Sequence, residues 1–390
     1  MPEPTTRRQF LTRAAILAAG APTLGAFLAA CGKSGPSSST PSLTLAAPDN
    51  PVTWDIAEDN KPIADGLAPE KGTLKLYSYA DYVSPDAVKS FEDKYGVSVE
   101  ISTFNDGGEA LTKLRSGVDF DIYNANYTAI SRLVNGGLVR PLNHSYIDNI
   151  KNVWPNFTNP WYDQEWRYTV PYTIYTTGIG WRNDQVPEDI GALGNPYDAF
   201  WDPKYKGKTA VLDDWHTTMA MVLLRNGITD VNTSSEADLT MVGEQLKALV
   251  DATSPKVTIT AYNDLPAGQL GLAQMWSGDI INAQAYLPEG TGPEVLRYWF
   301  PSDGKGMVDN DMLVTLKGGK NPVLAHLFLN HMLDSEVAMQ NFSAIGYQPP
   351  QNSINPDSLI SDGFIPENLS AAIVRPEWFD AGYRVLELDP

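Results

Sequence analysis

The sequence predicts an α/β protein of two lobes, each built on a central, mainly parallel sheet with flanking helices, and with a ligand cleft between the lobes. Strand and helix patterns alternate from residue 74 onward, which is typical of parallel sheets. Aromatic and acidic residues recur where predicted strands end, and ligands bind at this edge of an open sheet. The 390 residues suffice for two cores. We assign residues 73–171 and 279–320 to the first lobe and residues 172–278 and 321–390 to the second.

Residues 1–30 have the pattern of an export signal. Arg7 and Arg8 form a twin-arginine motif, and an apolar run leads to small residues directly before Cys31. Lipoprotein signals are cut before such a cysteine, so we predict that residues 1–30 are removed and that Cys31 carries a lipid anchor. The protein would then lie in the periplasm or on the outer face of the cytoplasmic membrane. A retained membrane helix is the alternative, but Gly20 interrupts a run that is already short.

Composition narrows the possible partners. Residues 31–72 are rich in Ser, Pro, Thr and Ala, which predicts a flexible tether. The net charge of -19 disfavours nucleic acid and attracts cations. Cys31 is the only cysteine and there are four histidines, so neither an internal disulfide nor a zinc site is expected. We therefore expect a monomer with no metal, no cofactor and no nucleic-acid partner.

The first predicted unit is a strand, an aromatic loop and a helix. The strand begins at residue 74, and the helix covers residues 85–95. Ser84 is the expected N-cap, Pro85 the first helical residue and Gly96 the C-cap. The same alternation continues with a strand at 97–104, a helix ending near Gly117, a strand at 120–123 and a helix through Val134.

The second half of the chain is predicted to form the other lobe. The sequence becomes irregular and aromatic after Pro141, and we place a crossover near Pro171. The elements predicted after it are a strand at 208–214, a helix capped by Thr217 or Thr218, a helix at 237–250 and a strand at 271–276. We expect the chain to return to the first lobe through residues 283–286, and a helix at 322–334 to complete the second lobe.

Three predicted strand ends combine acids with aromatic rings. They are Tyr79, Asp81 and Tyr82; Asp213, Asp214 and Trp215; and Trp276 and Asp279. Carboxylates accept charge-assisted hydrogen bonds from ammonium groups, and aromatic faces attract the same cations. An elongated apolar chain that carries ammonium groups matches this lining, whereas a sugar would need fewer acids. The structural alternative is that the acids cap helices and the rings pack in the core.

A series of short motifs resembles the periplasmic spermidine/putrescine-binding proteins, the substrate-binding lipoproteins of polyamine ABC importers. The resemblance extends from about residue 74 to about residue 353, and it depends on the order and spacing of the motifs. They are Tyr-Ser-Tyr-Ala-Asp-Tyr-Val at 77–83, Phe-Asp-Ile at 120–122, Gly-Gly-Leu-Val-Arg-Pro-Leu at 136–142, Val-Pro-Tyr at 170–172, Leu-Asp-Asp at 212–214, Trp-Ser-Gly-Asp at 276–279 and Ile-Gly-Tyr at 345–347.

This resemblance implies a periplasmic-binding-protein fold that captures a polyamine, putrescine or spermidine, by hinge closure and delivers it to a membrane permease. The ligand-binding residues that it implies are Tyr79, Asp81, Tyr82, Asn126, Asp214, Trp276 and Asp279. Tyr79 stands where the family usually has Trp, and Thr217 stands where a spermidine binder has Glu. Either the third amine of spermidine then lacks its partner, or Asp309, in a predicted loop at 307–311, substitutes for the missing carboxylate.

Other functions stay open at this point. An exported hydrolase could use Asp213 and Asp214 as an acid–base pair. Adjacent strand residues point to opposite faces, however, and the chain has no nucleophile elbow or metalloprotease motif. We therefore expect a binding protein and not an enzyme. The same fold could also bind another cationic or small organic solute.

Metal binding is a further alternative. Asp309 and Asp311 have the spacing of calcium ligands, but Val314 and Lys320 occupy the positions where a calcium loop needs Gly and Glu. Two neighbouring tyrosines, at positions 79 and 82, could bind ferric iron, although no nearby histidine or anion-binding arginine supports this. Neither metal is expected.

Overall fold

Nine strands form one hydrogen-bonded sheet in the computed structural model, which describes residues 44–387. The strands are β1 Thr73–Tyr79, β2 Ser98–Phe104, β3 Ile122–Asn126, β4 Thr169–Arg182, β5 Thr209–Val211, β6 Lys256–Val257, β7 Leu272–Trp276, β8 Leu296–Trp299 and β9 Met307–Thr315. Their order across the sheet is β2-β1-β3-β9-β4-β7-β5-β6, and β8 pairs with β4.

Helices connect and cover these strands. The α-helices are α1 Pro85–Tyr95, α2 Gly107–Arg115, α3 Ile130–Asn135, α4 Trp215–Arg225, α5 Glu236–Thr253, α6 Ala261–Asp264, α7 Ser277–Asn282, α8 Pro322–Met332, α9 Ser335–Ile345, α10 Ser358–Ser361 and α11 Pro376–Ala381. Short 3₁₀ helices cover Tyr127–Ala129, His144–Tyr146, Asp148–Asn152, Pro155–Phe157, Gln164–Trp166, Ile190–Ala192, Pro196–Trp201, Pro203–Tyr205, Ala283–Tyr286, Pro293–Val295 and Glu367–Ala372.

The parallel strands lie at the two ends of the sheet. Strand β1 runs parallel to β2 and β3, and β5 runs parallel to β6 and β7. The long strands β4 and β9 are antiparallel to each other. Strand β4 also pairs with β7, and β9 with β3, again antiparallel, so the two long strands join the two parallel groups. Each group with its helices is the core of one lobe, which confirms the predicted two-lobe α/β fold.

The first predicted unit is confirmed in detail. Ser84 Oγ accepts a hydrogen bond from the amide of Ala87 at 3.4 Å, and Pro85 occupies the first helical position. The helix ends at Gly96 in the left-handed conformation, with φ of 65°, which glycine adopts without steric cost. Phe91 is fully buried and anchors α1 in the core beside β1. The loop between β1 and α1 is therefore fixed at both of its ends.

Apolar residues cover both faces of the first lobe's sheet. Leu74 and Leu76 point to one face and are fully buried. Tyr77 points to the opposite face and stacks on Phe120, with ring centroids 4.5 Å apart and planes inclined by 2°. The alternation along β1 thus directs Tyr77 into the core and leaves Tyr79, at the end of the strand, for the cleft.

Two placements differ from the prediction. Asp309 lies within strand β9 and not in a loop, because β9 is paired with β3 on one side and β4 on the other. This pairing overrides the low strand propensity of Asp and Asn. Helix α8 belongs to the first lobe and not to the second, since its residue Phe328 packs against Phe91 with ring centroids 5.1 Å apart. The other lobe boundaries stay a prediction.

Among residues 44–387, no helix is both long and apolar enough to cross a membrane. The predicted export signal and Cys31 lie outside the described residues. The flexible tether predicted for residues 31–72 is wrong for residues 44–72, which pack against the first lobe. Trp54 is 4% exposed and its Nε1 donates to the Tyr162 carbonyl at 2.8 Å, and Asn60 Nδ2 donates to the Val139 carbonyl at 2.8 Å.

Candidate functional site

A cavity of about 490 Å³ lies where the loops after β1, β2 and β3 face the loops after β5 and β7. All the residues predicted to bind the ligand line it: Tyr79, Asp81, Tyr82, Asn126, Asp214, Trp276, Asp279 and Asp309. Within each parallel group the carboxyl ends of the strands meet at one edge, which brings together the loop residues of each wall. Asp309 reaches the cavity differently, from within strand β9 between the two groups.

The cavity also contains groups that the sequence reasoning did not assign to the site. They are the acids Asp106, Asp311 and Glu387, the phenols Tyr175, Tyr262 and Tyr347, and the guanidinium of Arg132. Asp311 could have been found, because residues two apart on a strand point to the same face as Asp309 does. Nothing in the local sequence marks Glu387 or Arg132, which meet only through the fold.

Asp309 and Asp311 form a carboxyl pair on the floor of the cavity. Asn126 connects them, because its Nδ2 donates to Asp309 Oδ1 at 2.8 Å and to Asp311 Oδ1 at 3.3 Å. Burial raises the pKa of Asp311 to about 6. Burial and the neighbouring Asp311 carboxyl raise the pKa of Asp309 well above its usual range. Two acids held this close favour a proton or another cation between them.

Phenol groups complete the surroundings of Asp311. Tyr82 donates to its Oδ2 at 2.8 Å, and Tyr175 donates to its Oδ1 at 3.3 Å. Tyr82 is buried and also lies 2.8 Å from the Thr173 hydroxyl. Tyr82 therefore supports the carboxylate and lines the cavity with its ring, while its hydroxyl is already engaged.

Asp279 is a buried acid with an unpartnered oxygen. It lies in the first turn of α7 and is 5% exposed. Its Oδ1 accepts a hydrogen bond from Tyr347 at 2.7 Å, and its Oδ2 has no partner among the described residues. Burial raises the pKa of Asp279 to about 7, although the Tyr347 hydrogen bond lowers it. Gly278 permits this arrangement, since a Cβ there would overlap the Tyr347 ring.

Asp214 has a structural role that the sequence assigned to its neighbours. It is the N-cap of α4, and its Oδ1 accepts hydrogen bonds from the amides of His216 and Thr217, each at 3.1 Å. Neither Thr217 nor Thr218 caps this helix, because Thr217 lies inside it and donates its hydroxyl to Asp214. Asp214 still lines the cavity, so capping and ligand contact are compatible.

The remaining predicted residues form the aromatic wall and the rim. Tyr79 packs against Phe104 at 4.4 Å between ring centroids, and Trp276 meets the edge of Tyr175 at 6.1 Å. Asp81 is exposed, has a φ of 54°, and its Oδ2 accepts a hydrogen bond from Tyr262 at 3.4 Å. Tyr262 belongs to α6 on the other wall, so this contact crosses the cleft.

The cavity is strongly acidic. Its lining contains eight carboxyl groups and one guanidinium, that of Arg132. Arg132 Nε donates to Glu387 Oε1 at 2.9 Å, so this positive charge is already paired. Among residues 44–387, no group of three or more His, Cys, Asp or Glu side chains has the arrangement of a metal site. The acidic lining favours a cationic ligand.

Comparison with known proteins gives a family match. The family model of bacterial extracellular solute-binding proteins matches residues 86–364. The spermidine/putrescine-binding periplasmic protein of Escherichia coli (strain K12) is 25% identical over 286 residues, which are 73% of this chain and 79% of that protein. The putrescine-binding periplasmic protein PotF of the same strain is 27% identical over 301 residues, which are 74% of this chain and 81% of that protein.

A solved structure supports the same fold. A proposed spermidine/putrescine ABC transporter from Listeria monocytogenes superposes with a TM-score of 0.68 and 26% identity. The match covers 81% of this chain and 94% of that one. The similarity thus extends over both parallel groups of the sheet and the cavity between them.

Proposed function

Because the chain belongs to the family of bacterial extracellular solute-binding proteins, we propose that it captures a polyamine such as putrescine or spermidine outside the cytoplasm and passes it to the permease of an ABC importer. Family membership confirms the predictions of a binding protein rather than an enzyme and of a location outside the cytoplasm. It also agrees with the resemblance found in the sequence motifs. The identity of the solute is the part that we propose.

One observation carries the choice of a polyamine: buried carboxyl groups in the cavity lack a cationic partner. Asp279 Oδ2 has no partner among the described residues, and Asp309 and Asp311 share the amide of Asn126. A buried unpaired acid is costly. A ligand ammonium would supply the missing hydrogen bonds, each contributing about 1.5–3 kcal/mol.

The aromatic wall favours a ligand with a methylene chain between its ammonium groups. Tyr175 lies between Asp311 and Tyr347, since its hydroxyl donates to the former and its ring centroid is 5.5 Å from that of the latter. Tyr347 in turn donates to Asp279. The two acidic positions are thus separated by aromatic surface, on which methylene groups can pack and which also attracts cations.

We assign the following roles within this proposal. Asp279 and Asp309 bind ammonium groups, and Asn126 orients Asp309 through the 2.8 Å hydrogen bond. Asp214 and Asp81 add negative charge on the two walls. Three rings pack against the methylene chain: Tyr79, Tyr82 and Trp276.

Capture would proceed by closure of the two lobes, a motion well known in two-lobe binding proteins. Closure excludes water, which strengthens the ion pairs in the cavity. We also propose that a lipid on Cys31 holds the protein at the membrane. The membrane-anchored protein, with its two lobes closed on the ligand, is then available to the permease.

Thermal unfolding of the purified chain with putrescine, spermidine, spermine or a neutral disaccharide tests the proposal. A ligand that binds only the folded state stabilises it by about 2.7 kcal/mol at 100 times its Kd. We expect at least one polyamine to raise the melting temperature, the disaccharide to have no effect, and the variant with Asp279→Asn and Asp309→Asn to lose the polyamine effect.

The matched control is Asp163→Asn. Asp163 is also buried, and burial raises its pKa to about 7, but it does not line the cavity. This variant should keep the polyamine effect provided that its unfolding transition shows a folded protein. Absence of any polyamine effect in the unchanged protein would contradict the proposed function.

A further inference from the structure

The acids of the cavity lie at two depths. Asp279, Asp309 and Asp311 form the floor, and Asp279 and Asp311 are only 5% and 4% exposed. Asp81, Asp106 and Asp213 form an exposed rim. A short diamine that pairs with the floor acids leaves the rim acids without a cation. A longer polyamine has additional ammonium groups that can reach the rim.

Trp215 is the large aromatic residue of this rim. It is the first residue of α4, directly after the N-cap Asp214, and it lines the cavity. Its side chain is 64% exposed. An exposed indole of this size is unusual, because burial of an aromatic side chain is a major source of stability. The exposure indicates that the ring is not needed for the core.

The indole packs against the next residue in the chain. Its ring stacks on the imidazole of His216, with centroids 4.8 Å apart and planes inclined by 7°. His216 covers one face, and the 64% exposure leaves the other face accessible. Burial lowers the pKa of His216 below its ordinary value, so the imidazole is neutral at neutral pH and does not repel a cation.

From this arrangement we propose that Trp215 is a specificity-determining residue that makes the cleft prefer polyamines with three or more ammonium groups over diamines. The inference rests on the proposed function. The open face of the indole binds the part of the ligand that extends from the floor to the rim. There the ring attracts an ammonium group, and the exposed carboxylate of Asp213 adds charge on the same wall.

The test measures dissociation constants of spermidine and putrescine by calorimetry for the unchanged chain, Trp215→Ala and Trp215→Phe. A cation–π contact contributes about 0.5–2 kcal/mol, which corresponds to about 2- to 30-fold in affinity. We expect Trp215→Ala to weaken the binding of spermidine by such a factor and the binding of putrescine by less than about twofold. Trp215→Phe should retain much of the spermidine affinity that Trp215→Ala loses, because the phenyl ring still offers an aromatic face.

Val250→Ala is the matched control. Val250 is 56% exposed on α5 and does not line the cavity, so neither affinity should change. The melting temperature of ligand-free Trp215→Ala should equal that of the unchanged chain, which separates recognition from folding. An unchanged spermidine-to-putrescine ratio would overturn this inference alone. Failure of the unchanged chain to bind any polyamine would overturn the proposed function and this inference together.

Discussion

Individual acids of this protein differ in how well their carboxyl oxygens are hydrogen-bonded. Asp163 Oδ2 accepts hydrogen bonds from the amides of Tyr168 and Thr169 and from the Thr169 hydroxyl, at 2.8–2.9 Å. Asp279 accepts a single hydrogen bond, from Tyr347. The two have a pKa of about 7 for the same reason, burial, but only Asp279 faces the cavity. A bound cation would remove the free-energy cost of burying the Asp279 carboxylate in the ligand-free protein.

The pKa of Asp279 makes a prediction about stability and pH. The pKa is about 7 in the folded protein, whereas the ordinary value of 3.8 applies to the unfolded chain. At any pH between these two values the folded state therefore binds more protons than the unfolded state. The free energy of unfolding of the ligand-free protein therefore falls as pH rises from about 4 through about 7. At about 1.4 kcal/mol per pKa unit, the shift from 3.8 to about 7 corresponds to a loss on the order of 4 kcal/mol from Asp279.

Urea unfolding at pH 5 and pH 8 measures this loss. We expect Asp279→Asn to reduce the difference between the two pH values, because the amide does not titrate. The part of the difference that remains includes the contribution of Asp163. Polyamine at pH 8 should stabilise the unchanged chain and have much less effect on the variant. An equal pH dependence in both proteins would show that Asp279 does not titrate in this range.

At the scale of elements, the contact between the β1–α1 loop and α6 bridges the cleft. Asp81 Oδ2 accepts a hydrogen bond from the Tyr262 hydroxyl at 3.4 Å. The Tyr262 ring meets the Tyr286 ring edge-on, with ring centroids 5.4 Å apart. Tyr286 lies in the 3₁₀ helix Ala283–Tyr286, which directly follows α7, the helix that carries Asp279. The hydrogen bond thus joins the opposite walls at the rim and stabilises the arrangement in which they meet.

We predict that Tyr262→Phe accelerates ligand release. A hydrogen bond of this kind contributes about 0.5–1.5 kcal/mol net, so the dissociation rate constant should rise about 2- to 12-fold. The association rate constant should change little, since the contact forms on closure. Stopped-flow fluorescence with a polyamine measures both. Tyr286→Phe is the control, because Tyr286 makes no hydrogen bond to Asp81 among the described residues. Equal dissociation rate constants in all three proteins would show that the Tyr262–Asp81 hydrogen bond does not slow ligand release.

Local signals predicted some elements and not others. The N-cap, the first proline and the terminal glycine of α1 are all local, and the structure has α1 where they place it. The sequence predicts a loop at residues 307–311, the first part of β9, where Asp309, Asn310 and Asp311 have low strand propensity. Pairing with the two neighbouring strands makes this segment a strand. Helix α8 is apolar on most of its surface, so its sequence could not indicate which lobe it covers.

The candidate site shows the same division. Residues at the ends of parallel strands could be predicted, because the topology of an α/β sheet brings such ends together. Tyr175 and Tyr347 could not, since they come from the middle of a long strand and from the segment after α9. The pair of Arg132 and Glu387 joins residues 255 positions apart, a contact that only the folded chain creates.

At the scale of the whole molecule, charge and anchoring have to be considered together. The chain has a net charge of -19, which attracts cationic solutes to the protein. The same charge is repelled by a membrane surface rich in anionic lipids. Electrostatic attraction to such a lipid surface therefore does not hold this protein at the membrane. A covalent lipid could do so, and the sequence offers Cys31, directly after the predicted export signal, as its attachment site.

We predict that Cys31→Ser transfers the exported protein from the membrane fraction to the soluble fraction. The serine variant retains the twin-arginine motif of Arg7 and Arg8, so export itself should continue. Stable lipid anchoring depends on buried methylene groups and is insensitive to salt. Washing the membranes of cells that express the unchanged chain with high salt should therefore not release it. Release by salt, or membrane retention of Cys31→Ser, would show that something other than a lipid on Cys31 holds the protein there.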